Sequence, residues 1–195
     1  MIESESLPRS KRLKAATSDT HDRLDSSIMA AASFESLAGY TRFIAIQYLF
    51  HRDIDALYDE QQLRDLLPGL SDRRRMALVA ADLADLDVAI PAPASPPVFA
   101  AGAVDVPTAL GWLYVAEGSN MGAALLRKQA AQLGLSDAHG ARHLAPTAEG
   151  PAAHWRAFTA ALDAAELTAD EEARAVAGAQ AAFARVQSLA DAAFA

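Results

Sequence analysis

The sequence predicts a single all-α domain, and three observations support this fold class. Alanine is the commonest residue and β-branched residues are sparse, and alanine loses no side-chain entropy on entering a helix. Apolar residues recur at three- and four-residue steps along much of the chain. The 195 residues fit one domain, and 52% of them are hydrophobic, enough for a core. We therefore expect a flexible N-terminus over residues 1–8 and one domain over residues 9–195.

Apolar spacing predicts the first helices. The first should run from about Arg9 to Ala30, because one face carries a continuous stripe: Leu13, Thr17, His21, Leu24 and Ile28. Ser33 is a suitable N-cap for a second helix over TRFIAIQYLFHRDIDALY, which is apolar on more than one side and should be buried by several neighbours. LLPGL then breaks the chain, and Ser71 can cap a third helix through Leu86.

Prolines and a capping pattern predict the later elements. PAPASPP, residues 91–97, should be an extended connector. Pro107 fits the first turn of a helix that carries GWLYVAEGSNMGAALLRKQAAQL, and a helix from about Ala152 to Ala165 follows a loop. Thr168 and Glu171 match a capping box at the start of the last helix. That helix should bury four apolar residues: Val176, Phe183, Val186 and Leu189.

Charge and composition exclude several classes of function. A net charge of −8 argues against general nucleic-acid binding, which needs a basic surface. The absence of cysteine excludes disulfides, cysteine-based zinc sites, iron–sulfur clusters and thiol catalysis. No apolar run is long enough to span a bilayer, and MIESESLPRSKRLK lacks the apolar segment of a signal peptide. We expect a monomeric cytoplasmic protein without membrane or nucleic-acid partners.

Glycines in a strongly helical segment are the most informative feature. Each glycine inside a helix costs about 1 kcal/mol relative to alanine. Gly118 and Gly122 lie one turn apart, so they face the same way. With Ser119 and Asn120 they weaken the helix and leave bare backbone against which a flat or bulky group can lie. The alternative is that the two glycines only let another helix approach closely, and spacing alone slightly favours that alternative.

His21 is the strongest candidate for a metal ligand. It shares the apolar stripe of the first helix, and Asp25 lies one turn later, where its carboxylate can accept a hydrogen bond from the ring nitrogen that is not bound to the metal. The alternative is a core histidine bonded to Asp25 without a metal, which the residues alone favour. The other histidines show no metal-ligand spacing, and we interpret them as structural or solvated, with His51 near a helix surface. These are His51, His139, His143 and His154.

Several motifs together resemble the bacterial haem oxygenases. GWLYVAEGSNMGAALL resembles that family's distal helix, a kinked, glycine-bearing helix over the haem face that binds O2, and THDRLD resembles its proximal motif. QYLFHRDIDALY, LLPGL, ADLADL and GARHLAP follow in the family's order, so the resemblance extends from about Ser10 to the end of the chain. It implies a haem-oxygenase-like helical bundle in which haem b lies between the two motifs. His21 would bind the iron, and the backbone of Gly118 and Gly122 would touch the haem.

One departure concerns the distal side. Many other members of the family, including the animal enzymes, carry an aspartate near the second glycine pair that organises distal water. Here the neighbouring positions are Ser119 and Asn120, as in the bacterial subgroup. The resemblance implies that Gln47 and Arg75 join a distal water network that delivers protons. A charge run such as DRRR is usually a solvated helix face, and Arg75 could equally belong to a basic docking patch for an acidic electron donor.

The resemblance also implies anchors for the two haem propionates. Lys14 lies two turns before His21, and Tyr114 lies one turn before Gly118. Together they would orient the haem for attack at the α-meso carbon, with Arg156 as a further cation at the rim. The alternatives are a solvated Lys14 and a core aromatic at Tyr114.

The implied reaction is O2- and electron-dependent cleavage of haem to biliverdin, CO and Fe(II), with haem as both cofactor and substrate. A chain without cysteine needs an external electron donor, which we expect to be a ferredoxin or an NAD(P)H-dependent reductase. The purpose would be iron acquisition or bilin supply. Two alternatives remain from other classes. One is a non-catalytic haem carrier or gas sensor that uses the same His21, and the other is a helical interaction module without haem.

Overall fold

The computed structural model describes residues 7–31 and 34–194, and these residues form eight α-helices and no strand. The helices are α1 (Arg9–Ala30), α2 (Leu37–Ile54), α3 (Gln61–Leu66), α4 (Met76–Asp85), α5 (Val106–Ser119), α6 (Ala123–Gln132), α7 (Pro151–Ala164) and α8 (Ala169–Phe194). Short 3-10 helices cover Asp55–Asp59, Leu70–Arg73 and Arg142–Leu144. The predicted all-α fold class is confirmed. Residues 1–6, most of the predicted flexible N-terminus, lie outside the described residues.

Helix α8 lies in the middle of the bundle, since it packs against α1, α2 and α5. Its crossing with α5 is close. A Cβ atom at Gly111 would collide with the carbonyl oxygen of Ala175, and one at Gly178 would collide with that of Thr108. Both glycines are therefore required for this helix–helix contact. Their bare backbone lets α5, the helix of the glycine motif, lie directly on α8.

The ends of α1 and α8 are fixed by specific bonds. The Arg9 side chain is 4% exposed, donates from Nη2 to the carbonyl oxygen of Ala165 at 2.7 Å, and pairs with Glu172 at 2.7 Å. The backbone N–H of Thr168 donates to the Glu171 carboxylate at 2.8 Å, and the backbone N–H of Glu171 donates to the Thr168 hydroxyl oxygen at 3.4 Å, so the predicted capping box is present. Along α8, three of the four predicted apolar residues are buried and Val176 is half-buried.

The second helix begins later than its predicted cap. Ser36 caps α2, because its side chain accepts a hydrogen bond from the backbone N–H of Gly39 at 3.1 Å, and Ser33 lies outside the described residues. The helix ends at Ile54, and the chain continues as the 3-10 helix Asp55–Asp59. The predicted segment TRFIAIQYLFHRDIDALY therefore spans both elements.

The predicted cap of the third helix is wrong. Ser71 lies in the 3-10 helix Leu70–Arg73 and donates to the carbonyl oxygen of Tyr58 at 3.4 Å, whereas α4 begins at Met76. The reason is that the arginines between them bond to other elements, as Arg74 does to Asp55 at 2.8 Å, so this stretch does not continue as a helix. The short helix α3 was not predicted.

The proline-rich connector is not helical and is held against α2. Arg52 donates to the carbonyl oxygen of Ser95 at 2.6 Å, and the backbone N–H of Phe99 donates to that of Asp53 at 3.1 Å. Among the residues that the structure covers, we find no helix with the length and apolar character needed to cross a membrane.

Candidate active site

The apolar stripe of α1 is interrupted at His21. Leu13 and Thr17 before it and Leu24 after it are buried, whereas 55% of the His21 side chain is exposed. Its imidazole packs edge-on against Phe183 of α8, with 5.8 Å between the ring centroids. A stripe that faces the interior and leaves one side chain open indicates a gap in the packing at this turn.

Two carboxylates approach one nitrogen of the His21 ring. Nδ1 lies 3.5 Å from Oδ1 of Asp22 and 3.5 Å from Oδ2 of Asp25. These are ion-pair distances, slightly longer than a good hydrogen bond. Carboxylates near Nδ1 favour the tautomer with its proton there, which leaves the lone pair on Nε2 for a metal. Asp25 is the partner predicted from the sequence, and Asp22 was not predicted.

The predicted glycine helix is broken at the glycines. It forms α5 and α6, and between them the backbone bonds span three residues instead of four. The N–H of Asn120 donates to the carbonyl oxygen of Glu117 at 3.2 Å, and that of Gly122 donates to Ser119 at 3.2 Å. This break corresponds to the kink expected of the distal helix.

Neither glycine at the break is needed for close helix packing. A Cβ atom at Gly118 would lie 3.6 Å from the ring of Trp155, and one at Gly122 would lie 3.7 Å from the carbonyl oxygen of Ser119. Both are ordinary van der Waals contacts. The packing alternative therefore explains Gly111, where a side chain would collide with α8, and leaves Gly118 and Gly122 without a packing reason.

The stripe of α1 and the break share the same apolar surroundings. Leu24 belongs to one hydrophobic cluster with Ala116 of α5, and Ile28 packs against a second cluster together with Ala123 and Leu126 of α6. Three apolar side chains on α1, at the break and on α6 stay exposed: Met29 at 60%, Met121 at 44% and Leu125 at 61%. Exposed apolar side chains on α1 and around the break, together with an open histidine on α1, are typical of a binding site for a large apolar ligand.

Comparison with known proteins decides the family. Residues 98–192 match the sequence model of the heme oxygenase family. The chain is also 43% identical to "Heme oxygenase PigA" of Pseudomonas aeruginosa over 187 residues, which cover 96% of this chain and 93% of that protein. The chain belongs to the haem oxygenase family. The enzyme is thus a haem-degrading oxidoreductase, and the resemblance stated from the sequence is confirmed.

Two further relatives agree with this assignment. A heme oxygenase of Xanthomonas campestris pv. campestris is 38% identical over 134 residues, 64% of this chain and 75% of that protein. The crystal structures of the NO- and CO-bound heme oxygenase from Neisseria meningitidis include a chain that matches this fold with a TM-score of 0.90. That match has 39% sequence identity and covers 97% of this chain and 93% of the other.

The predicted propionate anchors of the haem oxygenase differ in burial. Lys14 on α1 and Arg156 on α7 are exposed. Tyr114 is 8% exposed, and its ring centroid lies 5.5 Å from that of Trp155. Burial raises the pKa of Tyr114, so its hydroxyl remains protonated and able to donate.

The polar residues of the distal side are half-buried or exposed. Gln47 on α2 and Asn120 at the break are half-buried. Ser119 is exposed, and its Oγ donates to the carbonyl oxygen of Ala116 at 2.7 Å, inside its own helix. Its hydroxyl proton is therefore engaged with the backbone.

The DRRR run is not a solvated helix face. Arg73 is 8% exposed, and Arg75 is half-buried and donates from Nη1 to the carbonyl oxygen of His143 at 2.5 Å. Burial lowers the pKa of Arg75. A half-buried guanidinium fits an interior polar network and does not fit an exposed docking patch.

The remaining histidines divide into buried and exposed groups. The prediction that His51 lies near a helix surface is wrong, because it is 5% exposed and burial lowers its pKa to about 3. His143 is buried with Nδ1 2.7 Å from Oδ2 of Asp82, so it is structural as predicted. His139 is 57% exposed, and His154 is 13% exposed.

Sequence reasoning missed a buried ion pair beside the break. Glu117 is 2% exposed, and its Oε2 accepts a hydrogen bond from Nη1 of Arg73 at 2.7 Å. The available signal was that Glu117 is the one charged residue in the apolar segment 111–122. A charge in such a segment needs a buried partner, but the sequence does not identify that partner.

Proposed function

We propose that this haem oxygenase binds haem b between α1 and the α5–α6 break and converts it to biliverdin, CO and Fe(II). The observation that carries the proposal is His21, which is open although Leu13, Thr17 and Leu24 of the same stripe are buried, and whose Nδ1 lies 3.5 Å from two carboxylates. Haem supplies the site of O2 binding and the carbon that is oxidised, so the chain has to hold, orient and hydrate it.

His21 would bind the haem iron through Nε2. Asp25, and with it Asp22, would hold the proton on Nδ1 and fix the orientation of the ring. A carboxylate near this proton also makes the imidazole a stronger donor to iron. The edge contact with Phe183 would restrain the ring further.

The distal face would be lined by backbone. At Gly118 and Gly122 no side chain stands between the helix and its surroundings, and packing does not require glycine at either position. With Ser119 bonded back into its helix, the break lacks a bulky acid or base, and Asn120 is the amide beside it. Selectivity would then follow from the position of the substrate relative to this backbone.

Lys14, Tyr114 and Arg156 would hold the propionates. Tyr114 supports this role because its raised pKa keeps the hydroxyl a donor at every physiological pH. With Lys14 and Tyr114 as the principal anchors, the α-meso carbon would lie beneath the break, so chromatography of the products should give mainly the α isomer of biliverdin. A mainly β or δ product would contradict these anchors.

Gln47 and Arg75 would supply the distal water network. The bond from Arg75 to the His143 carbonyl oxygen fixes its guanidinium at the edge of the interior, and its other N–H groups can order water there. Such water would carry protons to the substrate without a direct acid.

Electrons would come from a ferredoxin or an NAD(P)H-dependent reductase, since a chain without cysteine lacks iron–sulfur and dithiol centres of its own. We propose a cytoplasmic monomer that releases iron or supplies bilin.

The iron ligand can be tested with hemin and imidazole. Wild-type protein should bind one hemin with the absorption and Raman signature of an axial histidine, and His21→Ala should lose this signature and regain it with added imidazole. His139→Ala is the matched control, because His139 is equally exposed and should leave the spectrum unchanged. A His21→Ala protein with the wild-type spectrum would contradict the assignment.

A further inference from the structure

We propose that Glu117 is a positioning residue, whose buried bond to Arg73 fixes the last turn of α5 and so the backbone of Gly118. The inference rests on the proposed function, in which that backbone lies against the haem. Glu117 touches neither haem nor O2 in this account and acts only through the helix.

The geometry joins three elements at one carboxylate. Oε2 of Glu117 accepts from Nη1 of Arg73 at 2.7 Å and lies 3.3 Å from Nε2 of His154. Arg73 also donates from Nη2 to the carbonyl oxygen of His154 at 3.2 Å, and its guanidinium carbon lies 5.5 Å from the ring centroid of Phe158. The 3-10 helix Leu70–Arg73 and α7 are thereby both fastened to α5.

The carboxylate sits where the helix breaks. The backbone carbonyl oxygen of Glu117 accepts a hydrogen bond from the N–H of Asn120, which is the first of the three-residue backbone bonds at the break. Gly118 is the residue that follows Glu117 in the sequence. Trp155, which follows His154 in α7, is the side chain that faces Gly118. Movement of the Glu117 side chain would therefore move the start of the break.

Stability does not account for glutamate at this position. A negative charge in the last turn of a helix opposes the helix dipole. A buried ion pair is also often no more stabilising than apolar residues of similar volume, and residues 109–116 of α5 are buried and uncharged. A directional bond differs from an apolar contact in that it fixes the rotation and register of the helix end, which the proposed role requires.

Two arginine variants separate positioning from general destabilisation. Arg73→Gln removes the arginine that pairs with Glu117 at 2.7 Å. Arg185→Gln removes the arginine that pairs at 2.7 Å with Asp53, another buried carboxylate, on α2. Each carboxylate keeps one longer ion-pair contact. In the haem-free protein, Arg73→Gln should raise hydrogen exchange at the amides of residues 120–122 about tenfold, while Arg185→Gln leaves it unchanged. Loaded with haem, Arg73→Gln should give mixed biliverdin isomers, and Arg185→Gln the wild-type isomer.

The proposal is overturned if Arg73→Gln folds with wild-type exchange at residues 120–122 and a wild-type product. If Arg73→Gln does not fold, Glu117→Met decides, because methionine has a similar length but cannot accept the bond from Nη1 of Arg73, while Arg73 keeps its bond to the carbonyl oxygen of His154. It should show faster exchange at the break and a mixed product, and wild-type values for both would equally overturn the proposal. A wild-type enzyme that makes no biliverdin contradicts the proposed function, whereas exchange measured without haem tests the positioning claim separately.

Discussion

Replacing Gly118 with alanine should stabilise the haem-free protein and impair haem cleavage. The added Cβ would lie 3.6 Å from the Trp155 ring, an ordinary contact, and Gly118 has helical backbone. Alanine replaces glycine inside a helix with a gain of about 0.5–1 kcal/mol. For a chain of this size each kcal/mol shifts Tm by about 2–4 °C, so Tm should rise by about 1–4 °C.

In the haem-free structure this methyl group would face Trp155. In the proposed function haem lies against the Gly118 backbone, so the methyl group would hold haem farther from that backbone. A displacement of the substrate by about 1 Å can cost on the order of a hundredfold in rate. We therefore expect single-turnover haem cleavage to fall about ten- to a hundredfold in Gly118→Ala. The assay pairs thermal unfolding of the haem-free protein with single turnover under ascorbate and air.

Gly111→Ala provides the contrast for this experiment. Its Cβ would collide with the backbone of Ala175 and approach the backbone nitrogen of Ala179 to 2.5 Å. Overpacking of this kind costs about 1–3 kcal/mol or more, so Tm should fall by about 2–12 °C. If Gly118→Ala lowers Tm as much as Gly111→Ala, or cleaves haem at the wild-type rate, the reasoning about bare backbone at the break is refuted.

Three further predictions concern the haem-free protein. Burial lowers the pKa of His51 to about 3. Between pH 3 and about pH 6.5 the unfolded state therefore binds one more proton at this residue than the folded state does. The free energy of unfolding should fall by about 1 kcal/mol when the pH is lowered from 7.5 to 5.5. Urea unfolding at both pH values checks this prediction. His51→Gln should show a weaker pH dependence of stability than the wild type, and the same pH dependence in both proteins would contradict the assignment to His51. Arg9→Ala should lower the free energy of unfolding by about 3 kcal/mol, because the Arg9 side chain is only 4% exposed. Arg12→Ala should lower it by less than about 1 kcal/mol, because the Arg12 side chain is 24% exposed. Equal losses in the two variants would contradict the account. Asp105→Ala should cost about 1 kcal/mol in thermal unfolding because it removes the N-cap of α5, and Asp105→Asn should retain most of that stability.

Local sequence signals were sufficient for the helices that carry their own stripe or cap. The predicted span of α1 agrees with the observed Arg9–Ala30, because its stripe repeats over the whole length. Pro107 lies in the first turn of α5, and the last helix follows directly after Thr168. The proline and capping signals act over four or fewer residues and the stripe acts within one helix, so no knowledge of the rest of the fold was needed.

Errors arose where distant contacts override local preference. Ser71 is a good N-cap residue, yet neighbouring arginines bond to other elements and delay α4 until Met76. His51 stands in a polar HRD sequence, which favours a surface position, but the helix packing around α2 buries it.

The candidate site shows the same limit. His21 and Asp25 are one helical turn apart, so their proximity follows from the sequence alone. Arg73 and Glu117 are 44 residues apart, and only the fold brings them within 2.7 Å. The different roles of Gly111 and Gly118 depend on α8, because only that helix makes a side chain at Gly111 impossible.

The most direct test of the account is a single turnover of the wild-type enzyme loaded with one hemin, under air, with ascorbate and with catalase to remove free peroxide. The account predicts that the Soret band disappears and that each haem gives one α-biliverdin and one CO. A Soret band that persists, even with ferredoxin and a reductase supplied, would contradict the account and indicate a haem carrier or sensor.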